Sequence, residues 1–328
     1  MTDLLNRERI LDHWLESVLN TKNYTRLPLA GDASARRYYR ILKDNQPFVV
    51  MDAPPPEDPK LFADIAAGLK AHGLSVPDIF ASDFNQGFLL LSDFGDRLYL
   101  GELNDHTVDN LYQDAFSALI ELQHCKMQVP AFNRTFLLNQ LGIFEEWYLK
   151  THKSFQICEK TRSIFQPIYE LLFETILQQP QVLVHRDYHS RNLMILPDKN
   201  PGIIDFQDAM LGPITYDLLS LLQDCYISWP RQRVEQWVLD FQQQLVERQS
   251  LSKNVSSTEF LKWFEWTAIQ RHLKNLGIFS RLYYRDKKAG YLKDIPLLLK
   301  YIREICQRYK ELEPLGAFFA THHETVEA

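Results

Sequence analysis

Residues 181–213, QVLVHRDYHSRNLMILPDKNPGIIDFQDAMLGP, decide how the chain is read. Short β-rich apolar runs at 182–184, 193–196 and 202–204 alternate with polar loops, and loops set at strand ends are where functional side chains concentrate. Within the stretch His185, Asp187 and Asn192 fit the pattern HxDxxxxN, and Asp205 stands 18 positions after Asp187. An apolar run precedes the first loop, another follows Asn192, and a third leads into Asp205. Two carboxylates and a carboxamide are thereby placed on neighbouring bends.

Upstream of this stretch the sequence predicts a small sheet. Ile10, Trp14, Leu15 and Val18 fall at helical spacing near the start, and residues 37–42 alternate with period two. Asp44, Asn45 and Gln46 turn that strand back into 48–51. Prolines at 54–56 and 59 lead into a helix carrying Leu61, Phe62, Ile65, Ala66 and Leu69, which Gly73 ends. Runs at 77–81 and 88–91 read as a second hairpin. From about residue 97 helix-length apolar periodicity takes over at 107–124, 136–153, 161–179, 231–248, 258–283 and 295–311. The terminal THHETVEA reads as a frayed tail.

Composition narrows the function classes. The 328 residues are 45% hydrophobic and 24% charged, which is globular usage. A net charge of -6 provides no uniform positive field for a nucleic-acid backbone. No run of 18 apolar residues is available to span a membrane. Four cysteines without a CxxC pair or a zinc-ligand spacing fit a reduced, cytoplasmic setting. Only 12 glycines, and no GxxxxGK[ST] loop, argue against Gly-rich dinucleotide and P-loop folds.

HxDxxxxN followed by a second Asp is the phosphotransfer spacing of kinase-like folds. Such transfer needs an aligned acceptor hydroxyl and metal ions on the phosphate oxygens. Asp187 is the candidate catalytic residue, accepting the hydroxyl's hydrogen bond and then its proton. Asn192 and Asp205 are candidate Mg²⁺ ligands. Asp93-Phe94-Gly95 spells the metal-binding tripeptide of protein kinases but lies far upstream of the catalytic loop. It suits a linker instead, where Ser92, Asp93 and Phe94 would meet an adenine edge. The expected architecture is therefore α+β and bilobal, protein-kinase-like: a small antiparallel β-sheet N-lobe (1–91), a hinge (92–97) and a mainly helical C-lobe (98–328).

These residues resemble the aminoglycoside phosphotransferase family of the kinase-like superfamily. Gly31-Asp32-Ala33-Ser34 with Arg37 and Arg40, Met51-Asp52-Ala53-Pro54-Pro55, Glu146-Trp147-Tyr148, Tyr216-Asp217-Leu218 and Gln270-Arg271-His272-Leu273-Lys274 are similar to one branch, the bacterial N-acetylmuramate/N-acetylglucosamine anomeric kinases. The resemblance implies ATP- and Mg²⁺-dependent phosphorylation of an amino sugar's anomeric hydroxyl, giving a sugar 1-phosphate for cell-wall recycling. An aminoglycoside or amino-alcohol acceptor is the alternative within the kinase class. A pseudokinase used as an interaction module is the alternative outside it.

The second alternative is motivated by a departure. A kinase strand ordinarily carries a lysine that grips the nucleotide phosphates and pairs with a helix glutamate. Here 48–50 runs into Met51, and the following helix offers Asp64. Two readings of Arg36, Arg37 and Arg40 stand: they supply the phosphate's positive charge, with Gly31 and Ser34 in the adjoining turn, or they are edge-strand charges that keep a sheet soluble.

On the acceptor side Arg271, Lys274, Arg281 and Arg285 recur at spacings that hold them near one helix face. Such a stripe suits a neutral or anionic acceptor, and a lactyl carboxylate fits it. Trp147, Tyr148 and Tyr283 would cover a sugar ring, and His189 follows the family pattern. A solvated helix face with core aromatics is the plainer reading of the same residues. His185 is expected to hold the loop through a backbone hydrogen bond, Asp208 to cap a turn, and Asp217 to anchor the loop from the next helix.

Overall fold

The alternation at 37–51 forms a two-residue hairpin in the computed structural model, which describes residues 2–29 and 35–322. Strand β2 (Arg37–Lys43) pairs antiparallel with β3 (Gln46–Asp52), Lys43 opposite Gln46. Asp44 and Asn45 make the turn with φ of 50° and 63°. A tight hairpin whose twist matches its strands needs positive φ at both centres, and Asp and Asn tolerate it better than other side chains. With β1 (Thr25–Pro28), β4 (Ile79–Asp83) and β5 (Phe88–Ser92), the sheet has the order β1-β2-β3-β5-β4, all neighbours antiparallel.

Alternation then decides the two faces. Ile41, Val50, Phe88 and Leu90 form a buried cluster with Leu11, Leu15 and Leu19 of helix α1 (Thr2–Leu19). The intervening Met51, Leu89 and Leu91 are buried too, so the central strands are apolar on both sides. Helix α2 (Pro59–Ala71) starts where Asp58 accepts hydrogen bonds from the Lys60 and Leu61 amides, with Pro59 at its first turn.

The chain divides into two compact units. The first is Met1–Glu102 with Asn192–Gln207; the second is Leu103–Arg191 with Asp208–Ala328. The architecture is α+β and bilobal, a small antiparallel sheet in one unit and mainly helix in the other. Within the first unit, after the short α3 (Tyr99–Glu102), the returning segment is a ribbon of β7 (Leu193–Met194) and β8 (Gly202–Ile203). The ribbon is tied down by Ile195 N–H to Arg97 O and Ile203 N–H to Ser75 O, both 2.7 Å.

The second unit is built on α4 (Val108–His124), α5 (Arg134–Ile143), α6 (Glu159–Leu177), α7 (Tyr216–Leu222), α8 (Arg231–Glu247), α9 (Ser257–Tyr284), α10 (Ile295–Cys306) and α11 (Glu313–Thr321), with the strand pair β6 (Gln181–Val184) and β9 (Met210–Pro213). The 28-residue α9 is the element the others surround, buried from Phe260 to Leu282 except on one narrow side. Two sequence expectations are corrected here. The helix expected over 136–153 is α5 followed by a π-helical segment, Phe144–His152. The helix expected over 295–311 stops at Cys306, and a new helix begins at Glu313 because Pro314, at its first turn, can start a helix but not continue one. Of the frayed tail only Thr321 and His322 lie within the described residues.

Candidate active site

Strand β6 delivers the chain into the 185–192 loop, and two buried carboxylates hold that loop at both ends. Asp217, in the first turn of α7, accepts the His185 amide at 2.5 Å and the Arg186 amide at 2.9 Å, one on each oxygen. Burial pushes the Asp217 carboxyl up to about 7, against the pull of those two N–H groups. At the far end Asp224 accepts the Ser190 amide at 3.2 Å and the Ser190 hydroxyl. Between them the Asp187 amide donates to His185 Nδ1 at 3.3 Å, so the imidazole holds the loop through a backbone bond. Arg186 sits at φ 78°, a costly conformation for a side chain that large. Its guanidinium donates to the Asp208 carbonyl at 3.2 Å.

The Asp187 side chain is 44% exposed. Arg271 reaches it from α9 with Nη2 at 3.2 Å. The same guanidinium donates to the Arg186 carbonyl (2.6 Å), the Tyr216 hydroxyl (3.2 Å) and Ser220 Oγ (2.6 Å). Arg271 therefore ties loop, helix α7 and Asp187 together. Burial pushes the Asp187 carboxyl up, but Arg271, then Lys274, His189 and Arg186, outweigh it and hold it below the usual carboxylate range. Burial likewise raises the Tyr216 phenol, and Lys274, Arg271 and Arg186 bring it below its ordinary value.

Lys274 is one turn along α9 and only 7% exposed. It makes no hydrogen bond or ion pair with any described residue, and burial pulls its ammonium below the usual lysine range, opposed by Tyr216 and Asp187. A buried cation with no acceptor among the described residues is an unmet demand for an anion. The expected basic stripe thus divides: Arg271 and Lys274 face inward, Arg281 is half-buried, and Arg285 pairs with Asp286 at 2.8 Å in solvent.

The aromatic candidates lie on neighbouring elements. Trp147 is half-buried on the π-helical segment, and the stacked Phe144 and Tyr148 behind it are buried. Gly277 lets α9 approach that segment: a Cβ there would stand 2.5 Å from Ile143 O. Tyr283 packs edge-on against Tyr284. His189 meets the Tyr226 ring edge-on at 5.5 Å, and its Nδ1 is buried without a hydrogen-bond partner.

In the first unit the ribbon brings Asn192 and Asp205 together. Leu193 pairs with Ile203, and the Ile204 amide donates to Asn192 O at 3.1 Å, so the two candidate metal ligands flank the same end. Asp205 has φ 65°, a conformation that L side chains keep only where neighbours impose it. Gln207 Nε2 donates to Asp205 Oδ1 at 2.8 Å, while Oε1 of the same amide is buried with no hydrogen-bond partner. This oxygen-only donor set fits Mg²⁺, which takes one or two protein ligands and completes its shell with phosphate and water. Among the described residues no group of three His, Cys, Asp or Glu side chains could hold a metal alone.

The candidate nucleotide contacts are placed as follows. Arg37 Nη2 donates to the buried Asp52 at 2.6 Å, alongside Arg7. Arg40 makes a two-pronged pair with Asp93 (2.5 and 3.1 Å) and reaches Asp96. Asp93 also accepts the Gly95 amide, and Ser92 Oγ accepts the Asp78 amide at 2.8 Å. Phe94 covers Gly202, where a Cβ would lie 2.8 Å from its ring. Gly31 and Ser34 lie outside the described residues. Met51 is fully buried, and Asp64 pairs with Lys60 at 2.9 Å. Arg36 has Glu57 at 3.5 Å and Asp205 at 3.9 Å. Ser220, which accepts from Arg271 at 2.6 Å, carried no signal in the sequence, because spacing does not report proximity across elements.

Comparison with known proteins places this arrangement. The chain is 40% identical over 305 residues to an N-acetylmuramate/N-acetylglucosamine kinase of Pseudomonas aeruginosa, covering 92% of this chain and 90% of that one. It is 36% identical over 327 residues to the like-named kinase of Neisseria meningitidis, covering 95% of each. Among solved structures it superposes on an ethanolamine kinase of Plasmodium vivax with a TM-score of 0.64 at 11% identity (89% and 86% of the chains). For an ADP-bound aminoglycoside phosphotransferase the TM-score is 0.58 at 16% identity (89% and 97%), a likeness of fold. No helix among the described residues is long and apolar enough to cross a membrane. The sequence model of the phosphotransferase enzyme family matches residues 25–252, and with loop, anchors and fold in agreement the chain belongs to that family of kinase-like phosphotransferases.

Proposed function

We propose that this enzyme is an ATP- and Mg²⁺-dependent kinase for the anomeric hydroxyl of N-acetylmuramate and N-acetylglucosamine, yielding the sugar 1-phosphate. One observation carries the reading: Asp187, ionised and accessible, is held by Arg271 beside the unpartnered Lys274. In this reading Asp187 accepts the hydrogen bond of the sugar hydroxyl and takes its proton as the oxygen attacks the γ-phosphorus. The new O–P bond forms as the bond to the β-phosphate oxygen breaks, and ADP leaves. Mg²⁺, when bound, offsets the charge of the phosphate oxygens; Asn192 and Asp205 are the residues to hold it. Ser92, Asp93 and Phe94, in the 92–97 linker, are the proposed adenine contacts, and a cytoplasmic role in cell-wall recycling accords with the four free cysteines.

The charge around Asp187 also bears on the acceptor. Arg186, Arg271 and Lys274 would repel a polycationic aminoglycoside or a quaternary amino alcohol, whereas the lactyl carboxylate of N-acetylmuramate would satisfy Lys274. Trp147 offers an apolar face for the sugar ring, and His189 an unused imidazole nitrogen. Incubation with ATP, Mg²⁺ and each amino sugar, read by phosphorus NMR, tests the proposal. A sugar 1-phosphate is the expected product, and its absence with both sugars overturns the reading.

A further inference from the structure

We infer that Gln207 belongs to the Mg²⁺ site, as a positioning residue that orients Asp205 with one end of its amide and offers the other end to the ion or its hydration shell. The inference rests on the kinase reading, which assigns Asn192 and Asp205 to the metal, and adds a third residue to them. Two side-chain oxygens leave most of an octahedral shell to phosphate and water. What holds those two oxygens in place therefore governs affinity nearly as much as the oxygens do. Residues 192–207 of the first unit supply such a hold.

Asp205 stands between two pinned neighbours. The Ile204 amide donates to Asn192 O at 3.1 Å, and the fully buried Phe206 ring packs on Phe62 of α2 with centroids 4.7 Å apart. The left-handed backbone of Asp205, at φ 65°, is thus imposed from both sides. Its side chain is 46% exposed. Gln207 Nε2 then donates to Asp205 Oδ1 at 2.8 Å, which fixes the carboxylate as well as the backbone.

The orientation of the amide leaves one atom to be explained. An ionised carboxylate only accepts, so Nε2 must face Asp205 and Oε1 must face away from it. Gln207 is 7% exposed, and its Oε1 is buried without a hydrogen-bond partner among the described residues. A residue that only braced the Asp205 turn would leave its spare oxygen in solvent. A buried oxygen without a donor is costly, and is retained where a ligand satisfies it. An amide oxygen is a hard, neutral donor of the kind that Mg²⁺ takes directly or through water. Neutrality matters too: a carboxylate at 207 would stand against Asp205 and repel it in the metal-free protein.

Titration of the full chain with Mn²⁺ in the presence of ADP, read by the EPR signal of the free ion, tests the assignment; Mn²⁺ takes the same oxygen ligands as Mg²⁺. Gln207→Leu keeps the bulk and removes both amide functions. It is expected to weaken Mn²⁺ about tenfold to a hundredfold, the scale of a lost supporting residue, and to leave metal-free ADP binding unchanged by calorimetry. Gln207→Glu keeps an oxygen and adds charge. It should bind Mn²⁺ at least as tightly as wild type while lowering the Tm of the metal-free protein, opposite shifts that a purely structural residue would not give. Unchanged Mn²⁺ affinity in Gln207→Leu, or an equal loss of metal-free ADP binding, overturns the proposal; should that variant not fold, Mn²⁺ affinity below wild type in Gln207→Glu does so. Wild-type protein that binds no Mn²⁺ in the presence of ADP would overturn the kinase reading itself.

Discussion

Arg271 holds Asp187 from below: one guanidinium nitrogen, Nη2, bridges the Asp187 carboxylate and Ser220, and the other bridges the Arg186 carbonyl and Tyr216. The contact sets both the geometry and the charge state of the loop. Burial favours a protonated Asp187, and Arg271 is the largest of the cations opposing it. Removing Arg271 therefore raises the carboxyl's pKa. Arg271→Met is expected to move the acid limb of the kcat profile to higher pH as well as to lower kcat, and Arg271→Lys to restore part of the shift. A pH–rate series checks it.

Lys274 separates affinity from stability. As a buried cation without a described partner it destabilises the free enzyme, so Lys274→Met should raise Tm. The same change should weaken kcat/KM for N-acetylmuramate by about tenfold to a hundredfold, the scale of a lost charged hydrogen bond, and leave N-acetylglucosamine nearly unaffected. Parallel kinetics with the two sugars and a thermal melt check both halves.

His272, behind Arg271 on α9, is 1% exposed, and its Nε2–H donates to Gln223 Oε1 at 3.0 Å. Burial, with Arg271 adding, lowers it to about 3, against about 6.5 in an unfolded chain. Between those values the unfolded chain binds the extra proton, so stability is full above about pH 6.5 and falls as pH drops toward 3, by at most about 1.4 kcal/mol per unit. His272→Gln should flatten that slope in urea titrations across the window.

Gly277 is predicted to be irreplaceable. A Cβ would meet Ile143 O at 2.5 Å and Phe144 N at 2.6 Å, backbone atoms that cannot rotate away. Gly277→Ala should cost about 1–3 kcal/mol, the range of forced overpacking. Gly142→Ala, with nothing within 4 Å of its Cβ, should be neutral or slightly stabilising. Denaturant midpoints of the pair distinguish a packing constraint from a general intolerance of change.

That Asn192 and Asp205 lie near one another was legible because a short ribbon fixes their spacing: the two candidate metal ligands must flank one end once 193–194 pairs with 202–203. The Asp44–Asn45 turn was legible for a similar local reason. Strand β1 was not, because its burial pattern is mostly exposed and Leu27 has no buried apolar partner in alternation. The π-helical segment keeps the apolar spacing of the helix it extends, so periodicity runs through it unbroken. Arg271, Lys274, Arg281 and Arg285 read as one basic stripe because charge pattern reports helix phase but not which part of a face is covered. Arg36, Arg37 and Arg40 looked alike in sequence; the carboxylates that separate them come from residues 52, 57, 93, 96 and 205.

The central claim is that Asp187 and Asp205 act on the transferring phosphoryl group and not on the fold. The direct measurement is kcat for N-acetylmuramate in Asp187→Ala and Asp205→Ala, with Tm recorded on the same preparations. The account predicts a fall of roughly three or more orders of magnitude in each, as for groups that act in the transition state, at nearly unchanged Tm. Near wild-type turnover in either folded variant would contradict it.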